Sequence, residues 1–384
     1  MSAVAFELPA GLEASAPPRR RDGVRLLAAR PGDLRHVRFD EFGEQLTPGD
    51  LVVVNTSGTL PAAVSGTRDG AGPDGAGPDG AGRDGGVRDG AAGGAGDSAG
   101  RAGGGQAGGG GGWAGGQPVV VHFATMLDDG DWVVEVREES PAATGPVGDL
   151  RPGERISLPD GVVLTVRAPH PAGQDRLWRA RVPVDGGVVA YLWHVGRPIR
   201  YAYVSDAQPM DAYRTVFGRD PGSAEMPSAG RPFSTELVTD LVSRGVLVAP
   251  VLLHTGVSSQ EAGEPPQAER FRVGAHTARL VNATRRWGGR VVAVGTTVTR
   301  ALESATGEDG AVRAVAGWTD LVLGPHRPAR VVTGLVTGWH APGASHLDLL
   351  EAVAGRDLVA AAYGEALRER YLWHEFGDSC LLLP

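Results

Sequence analysis

The chain has 384 residues, enough for two domains with hydrophobic cores, and its formal net charge is −8 at pH 7. All 37 basic residues are arginines, and the absence of lysine excludes a P-loop, a pyridoxal-phosphate Schiff base and a lysine nucleophile. The acidic balance argues against a non-specific nucleic-acid coat, and the single cysteine, Cys380, excludes an intramolecular disulfide. Without a signal-peptide pattern or an apolar run of roughly 18 residues, the sequence predicts a soluble, cytoplasmic protein.

The N-terminal region predicts extended segments joined by polar turns. Phe6-Glu-Leu-Pro9 is extended, and an arginine-rich loop with Arg19-Arg20-Arg21 precedes a predicted strand over Val24–Ala29. Such arginine clusters either form solvated faces or contact phosphate. A buried strand over Leu51–Val54 ends in Asn55-Thr-Ser-Gly58, whose small polar residues either line a site or form a turn.

Residues 67–117 consist largely of Gly, Ala, Asp, Pro and Arg, and a five-residue Asp-Gly-Ala-Gly pattern repeats within them. Too few apolar side chains are present to offset the entropy of ordering, which predicts a disordered insertion. Residues 118–192 then show short alternating runs separated by turns, the pattern of a small antiparallel barrel whose last strand is predicted over Val188–Leu192. The flanking residues 1–66 and 193–384 are predicted to form the main domain.

The second half alternates helices and strands, which is typical of an α/β layer structure. Ser234 caps a predicted helix that ends before Gly245, a strand follows over Val246–Leu253, and Thr277–Trp287 is the next helix. The predicted fold is therefore an α/β main domain with an inserted small antiparallel β-barrel domain.

The stretch Arg290–Glu303 has a buried strand, Val291–Val294, then Gly295-Thr-Thr297, and then a helix that carries Arg300 and Glu303. Ligands of open α/β sheets bind at the carboxyl ends of strands, where a helix N-terminus offers free backbone N–H groups. The alternative is an ordinary strand-to-helix corner capped by threonine.

Further polar residues stand near the ends of other predicted strands. His254 follows Leu253, His340 follows a strand over Val331–Thr337, and Asp378 precedes a last strand over Cys380–Leu383. Each alone is more often a structural residue, but together with Thr296 and Thr297 they predict one site. The Gly-x-Gly-x-x-Gly pattern occurs only within the glycine-rich insertion, as in Gly70-Ala-Gly-Pro-Asp-Gly75, and not between a predicted strand and a predicted helix, so it gives no support for a dinucleotide fold.

The order of these blocks resembles the S-adenosylmethionine:tRNA ribosyltransferase-isomerase family of queuosine synthesis over nearly the whole chain outside the glycine-rich insertion. The matching motifs are Phe6-Glu-Leu-Pro9, Pro48-Gly-Asp-Leu-Val-Val-Val-Asn55, Tyr213-Arg-Thr-Val-Phe217, Pro227-Ser-Ala-Gly230 with Phe233, Leu253-His254 with Gly256, Val294-Gly-Thr-Thr297 with Arg300 and Leu302-Glu303, His340 with Pro342, and Tyr371 with Gly377-Asp378. No single motif is specific, but the full set in this order is.

The resemblance implies an enzyme that uses S-adenosylmethionine as a ribosyl donor, without a metal. The acceptor it implies is 7-aminomethyl-7-deazaguanine in the anticodon loop of tRNA, and the products are epoxyqueuosine, adenine and methionine. We expect a monomer that does not bind membranes. The expected catalytic residues are His340, His254 and Asp378, and the expected S-adenosylmethionine contacts are Thr296, Thr297, Arg300, Glu303 and Asn55.

The sequence departs from the family pattern at several polar positions. Gly58 and Ala63 stand where the family has arginines, and Arg231-Pro232 replaces a Leu-His pair. Two alternatives therefore stay open: a transferase that uses S-adenosylmethionine on a small-molecule acceptor, and a non-catalytic relative that binds a nucleoside or RNA.

Overall fold

A computed structural model of the chain describes residues 6–69, 116–139, 145–201, 203–257 and 267–384. Strands account for most of the regular structure. In chain order they are β1 (Arg25–Arg30), β2 (Asp33–Arg38), β3 (Leu51–Asn55), β4 (Ser57–Thr59), β5 (Ala63–Arg68), β6 (Gln117–Met126), β7 (Trp132–Glu138), β8 (Arg155–Ser157), β9 (Val163–Pro169), β10 (Leu177–Arg181), β11 (Asp220–Ser223), β12 (Leu247–Leu253), β13 (Glu269–Val273), β14 (Val291–Val294), β15 (Val315–Thr319), β16 (Gly334–Gly338) and β17 (Ser379–Leu382).

The described α-helices lie mainly in the second half of the chain. They are α1 (Val188–Val195), α2 (Thr235–Ser243), α3 (Ala275–Arg286), α4 (Thr296–Ser304), α5 (His346–Ala354) and α6 (Arg356–Arg368). The predicted cap of α2 is confirmed, since the Ser234 hydroxyl accepts a hydrogen bond of 3.2 Å from the Leu237 N–H.

A nine-stranded mixed sheet, in the order β15-β13-β12-β3-β14-β16-β17-β1-β2, forms the main domain. Strands β12, β3, β14 and β16 at its centre run parallel. Their continuous apolar runs are buried on both faces: Val53 and Ala293 face one hydrophobic core, and Val52 and Val292 face the other. Helices α3 to α6 cover the first face, and α2 with the 3-10 helix Phe39–Gln45 covers the second.

The second unit is a closed antiparallel barrel in the order β10-β7-β6-β5-β8-β9, with its own hydrophobic core. The α/β domain with an inserted antiparallel barrel is therefore confirmed. The Asp128 carboxylate, in the turn between β6 and β7, accepts a 3.0 Å hydrogen bond from the Trp318 indole N–H and pairs with Arg270. This contact joins the barrel to the edge of the main sheet.

Two sequence-based boundaries of the barrel require correction. Strand β5 belongs to the barrel although it precedes residue 118, because it pairs with β6 and β8. The prediction of a strand over Val188–Leu192 is wrong, since this segment begins helix α1. Val188, Tyr191 and Leu192 have the i, i+3, i+4 spacing of one helical face, and that face packs on the barrel core.

The predicted glycine-rich insertion, residues 67–117, lies outside the described residues between positions 70 and 115. Its first two residues end β5 and its last residue begins β6, so the two ends of the insertion are paired neighbours in the barrel. Arg68 at this junction pairs with Asp149 at 2.7 Å and with Glu154 at 2.8 Å. Where the chain is described, none of the helices has the length and apolar character needed to span a membrane.

Candidate active site

A cleft of about 200 Å³ lies at the carboxyl ends of β14 and β16, next to the start of β13. This is the edge at which open α/β sheets bind ligands. The side chains that line the cleft include acidic groups, a basic group and several hydroxyls. Its polar and ionisable lining residues are Tyr201, Glu225, Ser228, Thr255, Gln267, Glu269, Thr296, Thr297, Arg300, Thr337, His340, Ser345, His346, His374 and Glu375.

The turn between β14 and α4 forms one wall of the cleft. Gly295 has a φ of 95°, a left-handed conformation that favours glycine, and it directs the chain from the strand into the helix. Thr296 and Thr297 then place two hydroxyls and the free N–H groups of the first helical turn at the cleft. These two predicted contacts therefore lie where an anionic group can be bound.

Arg300, one turn further along α4, lines the same wall. Its guanidinium pairs with Glu269 and donates hydrogen bonds to the backbone carbonyls of Leu321 (3.1 Å), Thr319 (3.2 Å) and Gln267 (3.2 Å). Burial raises the pKa of Glu269, and Arg300 opposes this rise. The arginine thus holds the start of β13 and the end of β15 against α4 while it contributes positive charge to the cleft.

His340 and His346 form a stacked pair of imidazoles on the opposite wall. Their ring centroids are 4.6 Å apart with an interplanar angle of 2°, and His340 Nε2 lies 2.9 Å from the Thr337 hydroxyl. Burial, with His346 and His374 nearby, lowers the pKa of His340 well below 6.5. Burial and the charge of Arg300 lower the pKa of His346 to about 4. Both rings are therefore neutral at neutral pH, and each has one unprotonated nitrogen that can accept a proton.

The third wall was not predicted as part of the site, because its residues come from segments without a strand-end signal. Tyr203 donates a hydrogen bond to Glu375 and stacks on His374, with ring centroids 4.3 Å apart. Tyr201 stacks in turn on Tyr203, at 5.5 Å. The rings of Tyr201 and His374, both stacked on Tyr203, therefore line the cleft together with the Glu375 carboxyl group, an arrangement that suits a flat heteroaromatic ligand.

Glu375 is expected to make the protein less stable as pH rises through the weakly acidic range. Burial raises the pKa of Glu375 from 4.5 to about 7. Since the unfolded chain ionises this group near 4.5, the stability it contributes is fully present below pH 4.5 and is lost by about pH 7. The loss is on the order of 2 kcal/mol, less than the whole shift implies because the residue keeps some exposure. Urea denaturation of the wild type and of Glu375→Gln at pH 4.5 and pH 7.5 measures it.

In Glu375→Gln the ionising group is gone while the size of the side chain is kept. The difference in unfolding free energy between variant and wild type should therefore grow in favour of the variant from pH 4.5 to pH 7.5. A difference that stays constant over this range would contradict the raised pKa.

Two predicted residues, His254 and Asn55, lie behind the cleft and do not line it. The His254 Nδ1 atom is 2.7 Å from the Ser57 hydroxyl, which is 2.6 Å from the Ser223 hydroxyl. Burial lowers the pKa of His254. Asn55 joins the ends of β3 and β12 through hydrogen bonds with the Leu253 N–H (3.0 Å) and carbonyl (2.8 Å).

Asp378 and Glu303 are also placed away from the cleft. The Asp378 carboxylate accepts hydrogen bonds from the backbone N–H groups of Arg25 (2.8 Å) and Leu372 (2.9 Å) and pairs with the Arg25 guanidinium at 2.9 Å. Glu303 accepts three backbone N–H bonds of 2.9 Å each, from Arg330, Val331 and Val332. Both carboxylates therefore fix chain segments, and the structure brings only Thr296, Thr297, Arg300 and His340 of the predicted residues into one cleft.

Among the residues that the structure describes, no group of three or more His, Cys, Asp or Glu side chains is arranged to hold a metal ion.

A polar cleft at the carboxyl ends of parallel strands, with a stacked histidine pair and a buried carboxyl group of raised pKa, is typical of enzymes of the α/β class. The family profile described as "Queuosine biosynthesis protein" matches residues 1–75 and 113–382, and the chain belongs to this family. The resemblance read from the sequence motifs is thereby confirmed.

Two relatives agree with this assignment over nearly their whole length. The S-adenosylmethionine:tRNA ribosyltransferase-isomerase of Symbiobacterium thermophilum is 32% identical, with 98% of each chain covered. The protein of the same name from Sorangium cellulosum is 33% identical over 98% of this chain and 96% of its own. The crystal structure of an S-adenosylmethionine tRNA ribosyltransferase from Thermotoga maritima is 26% identical, covers 99% of both chains and has a TM-score of 0.49.

Proposed function

We propose that this protein transfers and isomerises the ribosyl group of S-adenosylmethionine onto 7-aminomethyl-7-deazaguanine in the anticodon loop of a tRNA. The products are epoxyqueuosine in the tRNA, adenine and methionine. The family assignment supports this reaction class. The observation that carries the proposal is the cleft, in which neutral imidazoles and a carboxyl group that titrates near neutrality face the N-terminus of α4.

The binding of S-adenosylmethionine is proposed at the β14–α4 turn. Thr296 and Thr297 offer hydroxyl and backbone N–H donors for the carboxylate of its methionine part, and Arg300 adds positive charge. The rings of Tyr201 and His374, which line the cleft and stack on Tyr203, offer flat aromatic surfaces for a purine base. The cleft therefore contains groups that suit both ends of this molecule.

Proton transfer is proposed to involve His340 and Glu375. Bound S-adenosylmethionine supplies a sulfonium that acidifies the adjacent C5′ hydrogens. His340, neutral because its pKa is low, accepts a C5′ proton as general base. Glu375, protonated in part near neutral pH, donates a proton to the departing adenine. His254, Asn55 and Asp378 are proposed to act by positioning the strands that carry these groups. We also propose that the protein is cytoplasmic, acts as a monomer and needs no metal.

Incubated with S-adenosylmethionine and a tRNA that carries the aminomethyl-deazaguanine base, the protein is expected to release adenine and methionine in equal amounts. Mass spectrometry of the small molecules and of the digested tRNA measures the products. The physical reason is that groups for proton transfer line the cleft at the end of the sheet. The same tRNA with an unmodified guanine is the control and should give neither product.

Three outcomes of this assay would contradict the proposal. Formation of S-adenosylhomocysteine would show methyl transfer instead of ribosyl transfer. Adenine released with a small-molecule amine but not with the tRNA would assign a different acceptor. Binding of either substrate without any product would indicate a non-catalytic relative.

A further inference from the structure

Arg231 is a buried arginine next to the cleft, with only 5% of its surface exposed. It follows the 3-10 helix Ser228–Gly230, and its backbone N–H donates a 2.9 Å hydrogen bond to the Ser228 carbonyl. Its Nε–H donates to the Ala212 carbonyl at 3.3 Å, and its guanidinium lies 5.1 Å from the centroid of the Phe376 ring. One carbonyl and one aromatic face are the contacts that this guanidinium makes within the described part of the chain.

No carboxylate of the described residues pairs with Arg231, although buried charges in proteins are normally paired. The charged group that acts on the pKa of Arg231 is a second cation, Arg21. Its guanidinium donates to the backbone carbonyls of Arg214 (2.7 Å) and Arg231 (3.2 Å), so it is also bound to neutral acceptors. Burial and the charge of Arg21 lower the pKa of Arg231 to about 10. Two neighbouring guanidinium groups thus lack a compensating negative charge from the described residues.

The position of this arginine pair relates it to the cleft. Ser228, whose carbonyl holds the Arg231 backbone, lines the cleft, and Phe376, under the guanidinium, follows cleft residue Glu375. Arg214, whose carbonyl accepts from Arg21, lies 5.2 Å from the centroid of the Trp193 ring, an indole that is 40% exposed. Cationic side chains next to residues of the reaction cleft, with an exposed aromatic residue nearby, suit a nucleic-acid strand.

We infer that Arg231 and Arg21 bind a phosphate of the RNA backbone, close to the nucleotide that enters the cleft. This inference rests on the proposed function. An anionic oxygen between the two guanidinium groups would provide the missing counter-charge and would make charge-assisted hydrogen bonds. A phosphate fits because neither arginine lines the cleft, whereas the β14–α4 turn, which does, offers donors for the carboxylate of S-adenosylmethionine.

The test compares Arg231→Met, Arg231→Lys and the wild type in binding a modified anticodon stem–loop RNA without S-adenosylmethionine. We expect Arg231→Met to weaken RNA binding about 10-fold or more. The slope of log K against log salt should fall by about 0.7, the value for one phosphate contact in a single strand. Arg231→Lys should keep most of the slope. The affinity for S-adenosylmethionine, measured by calorimetry, should not change.

The stability of the RNA-free protein is the second measurement. Because Arg231→Met removes an uncompensated buried cation and keeps a long side chain, the melting temperature should rise by roughly 2–4 °C. The matched control is Arg286→Met at the C-terminal end of α3, an exposed position at the opposite edge of the sheet. It removes the same charge and should leave the salt slope and the melting temperature unchanged.

Several outcomes would overturn the inference while the proposed function stands. With wild-type protein that releases adenine, unchanged RNA affinity and salt slope in Arg231→Met would show that no phosphate binds there. Weaker binding of S-adenosylmethionine instead of RNA would assign the pair to the donor carboxylate. A large loss of stability in both Arg231 variants would show that Arg231 stabilises the fold instead of binding RNA. If the wild type neither binds this RNA nor releases adenine, the proposed function itself fails.

Discussion

Replacement of His340 by alanine is expected to lower turnover by about 10²–10⁴-fold and to leave the affinity for S-adenosylmethionine within a few-fold. The substitution should remove only the imidazole, because the backbone at this position is held independently. The His340 N–H donates to the Tyr363 hydroxyl at 3.2 Å, and its carbonyl accepts from the Trp373 indole at 3.1 Å. Single-turnover release of adenine, with calorimetric binding of S-adenosylmethionine, separates the two effects.

The pH dependence of the wild type adds a second test of the same residue. A group whose pKa is lowered well below 6.5 stays neutral as pH falls from 8 to 6. The rate should therefore not decline over this range through protonation of His340. A decline with an apparent pKa near 6.5 that disappears in His340→Ala would contradict the low pKa.

Two other histidines serve as controls for this prediction. His326 is exposed and does not line the cleft, so His326→Ala should behave as the wild type. His254 contacts Ser57 behind the cleft, so His254→Ala should act indirectly and cost less turnover than His340→Ala. If His254→Ala instead abolishes turnover and His340→Ala leaves it intact, proton transfer belongs to the His254 network.

The sequence was sufficient to predict several strands of the central sheet, because their signals are local, although the strand predicted over Val331–Thr337 begins only at Gly334. The apolar run Val291–Val294 has the same bounds in the structure as in the prediction, and helix α2 begins after the predicted cap Ser234. The barrel was harder to predict from sequence patterns. Strand β5, with the sequence Ala-Val-Ser-Gly-Thr-Arg, has too few apolar residues to signal a strand, and it is fixed by pairing with β6 across the insertion.

Residues of the cleft were predictable only where a polar or ionisable side chain lies close to the end of a strand. Thr296, Thr297 and His340 follow β14 and β16 directly, and the structure brings them together. Glu303 and Asp378 lie at similar places in the sequence, but their carboxylates turn away to bind backbone N–H groups. A one-dimensional pattern cannot give the direction of a side chain around a helix or turn. Glu375, by contrast, depends on contacts with Tyr203, more than 170 positions away.

Replacement of Glu303 by alanine is expected to destabilise the protein by about 3–5 kcal/mol, a large part of the stability of a typical domain. Glu303 is 6% exposed, and its two carboxylate oxygens accept the N–H groups of three consecutive residues, 330–332. Alanine would leave these donors without an acceptor in the protein, at the segment that leads into β16. Urea denaturation measures the effect, and an unchanged m-value would show that the variant unfolds in the same two-state manner with lower stability.

Glu303→Gln is the matched variant that separates this structural role from a role in binding S-adenosylmethionine. Its amide oxygen can still accept from Val331 and Val332, but its NH₂ group would face the Arg330 N–H, so an intermediate loss of stability is expected. Because the Glu303 side chain does not line the cleft, the folded fraction of either variant should bind S-adenosylmethionine as the wild type does. Normal stability combined with lost binding would instead show that this carboxylate contacts the ligand, as the motif resemblance implies.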